Sequence, residues 1–166
     1  MVRVKYILIA ILVVIFGIWA AFTLFQSEEK KVKKQFHLLS KWASKETGEN
    51  TFVMAQKVKN IGKLFAEHCE LKANVISFTG RYTAEEISSY AARARLSFSN
   101  LSLQFYDFNV AFPEEGLAKV TLTAKLTGRT TTGEGVDETH ELECALKKIE
   151  NKWFFSYMEV VEVLKK

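Results

Sequence analysis

Three histidines and two cysteines are the residues of this 166-residue chain best suited to moving a proton, holding a metal or attacking a substrate. In the alternating run from Val136 to Ile149, His140 shares parity with Leu142, Cys144 and Leu146. That phase turns it toward an interior, where a general base must sit to reach a bound substrate. The alternative is a partly exposed strand histidine among Asp137, Glu138 and Glu141. Asp107 falls where another alternating run changes phase, so it is either a base or a solvated carboxylate beside a bulge, and no second acid at a defined spacing accompanies it. His37 and His68 lie among lysines and glutamates and read as surface residues. No matched acid and base names a reaction.

The other reactive types are equally sparse. Cys69 and Cys144 stand far apart with no CxxC spacing and no clustered histidine, which argues against a zinc site or a thioredoxin-type motif, so no metal and no cofactor are expected. They read as buried free thiols, with a disulfide as the alternative if the domain is exported. Arg93 and Arg95 lie two apart on a helix and therefore on different faces. One of them could reach a cavity and hold a carboxylate or phosphate, and helix-surface solvation or a structural ion pair is the competing reading.

The formal charge of +4 is shared between two different regions: Arg3 and Lys5 are two of the 23 basic residues, leaving 21 against 19 acidic ones. Apart from the run Lys30, Lys31, Lys33 and Lys34, basic and acidic residues are interleaved. Nucleic-acid binding requires a basic patch that displaces phosphate counterions, so no nucleic-acid partner is expected. The lysine run is either the solvated face of a helix or a contact for anionic lipid head groups.

From Tyr6 to Phe25 there is no charge and no strongly polar residue. At 1.5 Å per helical residue this matches a hydrocarbon core of about 30 Å. A cleaved signal has a shorter apolar region ending at small residues, whereas here the run continues past Ala20-Ala21 through Phe22 to Phe25. The expected organisation is therefore a positive leader and transmembrane anchor over 1–26, a signal-anchor, and one folded domain over 27–166. A single-pass membrane location follows, with the domain on the extracytoplasmic side.

Within the domain, Val32, Phe36, Leu39 and Ala43 recur at helical spacing, then Met54, Val58, Ile61 and Phe65 form a second stripe. Cys69 to Phe78 reads as a brief strand or an extended loop. Thr83 and Glu86 form a capping box for a third helix reaching about Arg95. Beyond Phe98 the period drops to two over 101–112, 117–130, 136–149 and 153–164, an antiparallel meander with hairpin turns at 113–116 and 150–152. The phase change at Phe105-Tyr106 predicts a bulge that bends the first long strand.

This order of elements, with GRYTAEEI at 80–87, LTGRTTTGEGVDETHELECALKKIENKW at 126–153 and the closing strand MEVVEVL at 158–164, resembles the NTF2-like (SnoaL-like, cystatin-like) superfamily over residues 31–164, in particular a bacterial membrane-anchored group of unassigned function. The resemblance implies an α+β fold: an N-terminal transmembrane helix, then three helices packed on a curved four-stranded antiparallel sheet, the NTF2-like cone. It implies a pocket inside that cone, with Tyr82, Tyr90 and Tyr106 as hydrogen-bonding candidates beside His140 and Asp107. Trp42, Trp153 and Phe155 would line it, unless they are simply core. It also implies homodimerisation through the sheet face.

The expected function is a membrane-tethered, non-enzymatic binding module at the cell envelope, taking a partner protein or a small apolar ligand. The alternatives are a SnoaL-like isomerase, dehydratase or hydrolase-type enzyme using His140 or Asp107, and a subunit of an envelope or secretion complex.

Overall fold

The computed structural model describes residues 12–14, 27–73 and 78–163. The chain divides into two compact units, Met1–Lys31 and Val32–Lys166. In the first, residues 12–14 are helical and exposed, and Lys31 donates to Glu28 at 2.8 Å. The rest of the apolar stretch 6–25 lies outside the described residues. Among the described residues no helix is long and apolar enough to cross a membrane.

Helix α1 (27–43) begins in the first unit; from residue 32 of α1 the second unit runs through α2 (Thr51–Gly62), β1 (Phe65–Ala73), β2 (Phe78–Thr83), α3 (Ala84–Leu96), β3 (Phe98–Glu114), β4 (Leu117–Thr130) and β5 (Gly135–Ile149) to β6 (Lys152–Val163). The six strands form one sheet in the order β2-β1-β6-β5-β4-β3. This corrects the expected four-stranded antiparallel sheet behind a transmembrane helix. The meander β3-β4-β5-β6 is antiparallel, but β1 joins β6 in parallel and pairs β2 antiparallel, so the sheet is mixed.

The extra strands escape the hydrophobic period for a physical reason. Ile61 and Phe65 are both buried at helical spacing, so the stripe of α2 runs on without a break. The helix nevertheless ends at Gly62, where the Lys63 N–H bonds back to Ile61 O, and Phe65 opens β1. Along β1 burial recurs at Phe65 and Cys69, and the register against β6 shifts between Phe65 and Glu70. That irregularity hides the two-residue period by which a strand is recognised.

Other local features follow their sequence signals. Thr83 caps α3 by accepting from the Glu86 N–H at 3.2 Å, while the Glu86 carboxylate accepts from the Thr83 N–H at 2.8 Å. In β3 the register slips between Tyr106 and Asn109, and Asp107 takes up φ +54°. Aspartate tolerates this left-handed conformation better than most residues. The slip lets Leu101, Leu103 and Phe105 before it, and Phe108, Val110 and Phe112 after it, all turn toward the core.

One core lies between helices and sheet. Phe36 of α1 is fully buried and meets the rings of Phe105, Phe108 and Phe155 edge-on at 4.9–5.5 Å. Such edge-to-face packing adds to the burial of apolar area. Cys69 and Cys144 are buried here as free thiols.

Candidate ligand-binding groove

Helices α2 and α3 lie side by side, and two features fix their spacing. At one end Gly62 packs against α3 so closely that a Cβ there would fall 2.9 Å from Ala84 O and overlap Ser88 Oγ. At the other end Arg95, 1% exposed, reaches back from α3. Its Nη1 donates to the carbonyls of Trp42 (2.7 Å), Ala43 (2.5 Å) and Ser44 (2.8 Å), and its Nη2 pairs with Glu49 just ahead of α2. These carbonyls belong to the end of α1, which has no intrahelical donors to satisfy them.

The arrangement is reciprocal. Lys45, just past α1, donates to Arg95 O (2.9 Å) in the last turn of α3 and to Phe98 O (2.6 Å) at the start of β3. Each helix C-terminus is therefore capped by a cation from the other, the favourable sign for the helix dipole. Lys57 of α2 completes the set, reaching Glu49 at 2.5 Å and Ser44 O at 3.1 Å. Burial pushes the Glu49 carboxyl up, but hydrogen bonds from Lys57 and Arg95 and the attraction of both cations outweigh it and hold its pKa below the ordinary 4.5.

Between these two pins runs a groove of 660 Å³, with Met54, Ala55 and Val58 on one wall and Ala84, Ser88 and Ala92 on the other. Its lining is overwhelmingly apolar, and its volume suits a small organic ligand. Phe52 and Leu96, at the Arg95 end of their helices, are 78% and 59% exposed. Lys59, Lys63 and Glu85 bring charge to the opposite end.

The residues singled out in the sequence fall elsewhere. Trp153 and Phe155 are buried in the core, and Trp42 packs against it. Tyr82 and Tyr90 meet edge-on at 5.4 Å, Tyr82 half-buried and Tyr90 exposed. Tyr106 is exposed, bonds Gln104 and lines a smaller cleft of 270 Å³ with Lys33, His37 and Phe108, between α1 and β3. Asp107 is exposed at the bulge.

His140 does lie on the helix-facing side of the sheet, in a row with Ala124 and Phe105. Its Nε2 is 3.0 Å from Glu138 Oε2, and its Nδ1 is buried with no hydrogen-bond partner. A carboxylate on one ring nitrogen fixes the tautomer and leaves the other nitrogen basic, the arrangement a general base requires. No cavity described here is lined by His140. Among the described residues no group of three or more metal-ligating side chains converges.

The ion-pair reading of Arg95 holds, but neither its partner Glu49 nor the groove was singled out in the sequence. A usable signal was present in the small residues Ala84, Ser88 and Ala92, spaced four apart on α3, the pattern that admits a close neighbour along one helix face.

The outer face of the sheet is polar, with Thr121, Thr123 and Lys125 of β4 beside Thr139, Glu141 and Glu143 of β5. A mixed sheet closed on one face by three helices is an α+β cone. Solved structures identify it further. A hexachlorocyclohexane dehydrochlorinase (LinA Type2) superposes with a TM-score of 0.68 at 8% identity, over 84% of this chain and 87% of that one. Kfla4162 protein from Kribbella flavida superposes with a TM-score of 0.70 at 7% identity, over 84% and 93%. An NTF2-like protein with a cystatin-like fold from Novosphingobium aromaticivorans gives 0.65 at 12% identity, over 84% of each. The chain has the NTF2-like fold. No protein-family model matches the chain, and no curated protein matches it.

Proposed function

We propose that this chain is a binding module whose α2/α3 groove takes a small apolar ligand. One observation carries the reading: the groove is apolar and held open between two fixed contacts, Gly62 on α3 and Arg95 on Glu49. A site whose walls are positioned before the ligand arrives loses less ordering entropy on binding. Membrane attachment through residues 6–25, an extracytoplasmic domain, an envelope-protein partner and pairing of two copies through the outer sheet face belong to the same reading on sequence grounds. Alkaline extraction of membranes and sedimentation of the purified chain test the first and last of these.

The groove itself is tested by labelling the full chain with an uncharged ten-carbon alcohol carrying a photoreactive diazirine. Labelled peptides from 51–63 and 84–96, lost when Val58→Trp fills the groove, are the expected result. Labelling unchanged by Val58→Trp would overturn the assignment.

A second reading, an isomerase, dehydratase or hydrolase-type enzyme, draws on the Glu138–His140 pair. It requires the buried Nδ1 to meet a substrate. An ordered solvent or probe molecule bonded to Nδ1 in a crystal would support it, and a sealed ring would count against it.

A further inference from the structure

The groove's charges are concentrated at one end, and their balance is positive. Lys59 near the end of α2 and Lys63, its C-cap in helical conformation, are four apart and so project from the same face, both exposed. Neither enters an ion pair among the described residues, unlike Lys57 one turn earlier, which is tied to Glu49. Among the described residues the only acidic side chain lining the groove is Glu85, on the opposite wall next to Ala84. Gly62 and Ala84 mark an end where the helices touch, and Lys59, Lys63 and Glu85 lie in the adjoining turns toward that end. The apolar side chains Met54, Ala55, Val58 and Ala92 extend from there toward the Arg95 end, where Phe52 and Leu96 are exposed.

We infer that the ligand is a single-chain amphiphile with an anionic head, of the fatty-acid class, its alkyl chain along Met54, Val58 and Ala92 and its carboxylate between Lys59 and Lys63. This rests on the proposed use of the groove. The ligand's two halves match the two halves of the site. An alkyl chain gains from leaving water along an apolar wall. A carboxylate gains from two neighbouring cations that have no ion-pair partner among the described residues. A neutral alcohol of the same length meets only the first condition. An alkylammonium ion meets the first and is repelled at the second. A chain in the reverse direction would put its carboxylate at the Arg95 end, where no cation among the described residues lines the groove and Arg95 and Lys57 are already tied to Glu49.

The test uses the full chain and three diazirine-bearing ten-carbon probes ending in carboxylate, alcohol or ammonium. Labelling of 51–63 and 84–96 is titrated against decanoate as competitor. Expected is half-maximal labelling by the carboxylate probe at about a tenfold lower concentration than by the alcohol, equivalent to ~1.4 kcal/mol, with the ammonium probe weakest. The double substitution Lys59→Gln, Lys63→Gln brings the carboxylate probe to the level of the alcohol. Glu85→Gln strengthens it, because the opposing charge is gone. Equal labelling by carboxylate and alcohol in the unsubstituted chain overturns the anionic head while leaving the apolar groove standing. Failure of every probe to label these helices, or labelling that survives Val58→Trp, overturns both.

Discussion

Arg95 of α3 and Glu49, two positions ahead of α2, form an ion pair in which their side chains are 2% and 4% exposed. Neither could remain charged there alone, since an isolated buried ion is costly. The pair persists because each partner has further contacts: the carbonyls of Trp42, Ala43 and Ser44 on Arg95 and the Lys57 ammonium on Glu49. One buried cluster thus sets the positions of all three helices, and with them one end of the groove.

Breaking this pair should therefore cost more than an exposed ion pair would. Glu49→Ala leaves Arg95 buried without its carboxylate, and the expected loss of stability is about 3–5 kcal/mol. Arg95→Lys should also destabilise, because a single ammonium cannot occupy both the carbonyl cluster and Glu49 as the planar guanidinium does. The double substitution Arg95→Met, Glu49→Leu should cost less than the sum of the single changes Arg95→Met and Glu49→Leu. Chemical unfolding followed by circular dichroism measures each. Full additivity would mean that the two residues act separately.

The same pair carries a pH dependence whose sign is fixed. The folded Glu49 pKa lies below 4.5, so the unfolded chain takes up a proton first as pH falls. Its contribution to stability is fully present above that ordinary value and is lost as pH drops through the lower, folded one. Melting temperature should fall below pH 4.5 more steeply in the unsubstituted chain than in Glu49→Gln, which has nothing to titrate at this position. Parallel profiles would assign the acid loss to other carboxylates.

Gly62 makes the opposite end of the groove sensitive to a single methyl group. A Cβ there lies 2.9 Å from Ala84 O, which is backbone and cannot swing aside. Gly62→Ala should push the two helices apart, with an expected cost of about 1–3 kcal/mol. It should also weaken probe labelling in the groove. Gly133→Ala is the useful contrast: nothing lies within 4 Å, so any cost comes from its positive φ of 94° alone and the groove should be untouched.

The contrast between these sites explains which parts of the fold were legible. Alternation along Val120, Leu122 and Ala124 reports burial directly, because strand side chains alternate between faces and the outer face meets water. The Thr83–Glu86 cap is legible for a similar reason, since both partners lie within one turn. Phe65 misleads because it continues the helical spacing of Ile61 while opening β1, and the register shift that follows it hides the strand period until Glu70. Glu49 was illegible in a different way. Its partner Arg95 is 46 positions away, and an acidic residue in the polar turn before a helix reads as solvated until the fold brings a buried guanidinium to it. Trp153 and Phe155 illustrate the same limit: an aromatic strand residue has one sequence signature whether it lines a pocket or fills a core, and here both are core.

The two cysteines give a final prediction, on accessibility and on alkaline stability. Burial pushes the Cys69 thiol from 9.0 up to about 12 and the Cys144 thiol higher still. The thiolate is the reactive form, so neither residue should react with an aromatic disulfide reagent at pH 8 while the chain is folded. Both should react once it is unfolded in denaturant, and the released chromophore counts them. The folded state favours the neutral thiols, so their contribution to stability is intact below pH 9 and declines as pH rises from there through the folded values. Cys144→Ala should flatten the alkaline limb of the stability profile at the cost of a small cavity. Rapid labelling of the folded chain at pH 8 would show that the core between Cys69 and Cys144 opens far more readily than its packing implies.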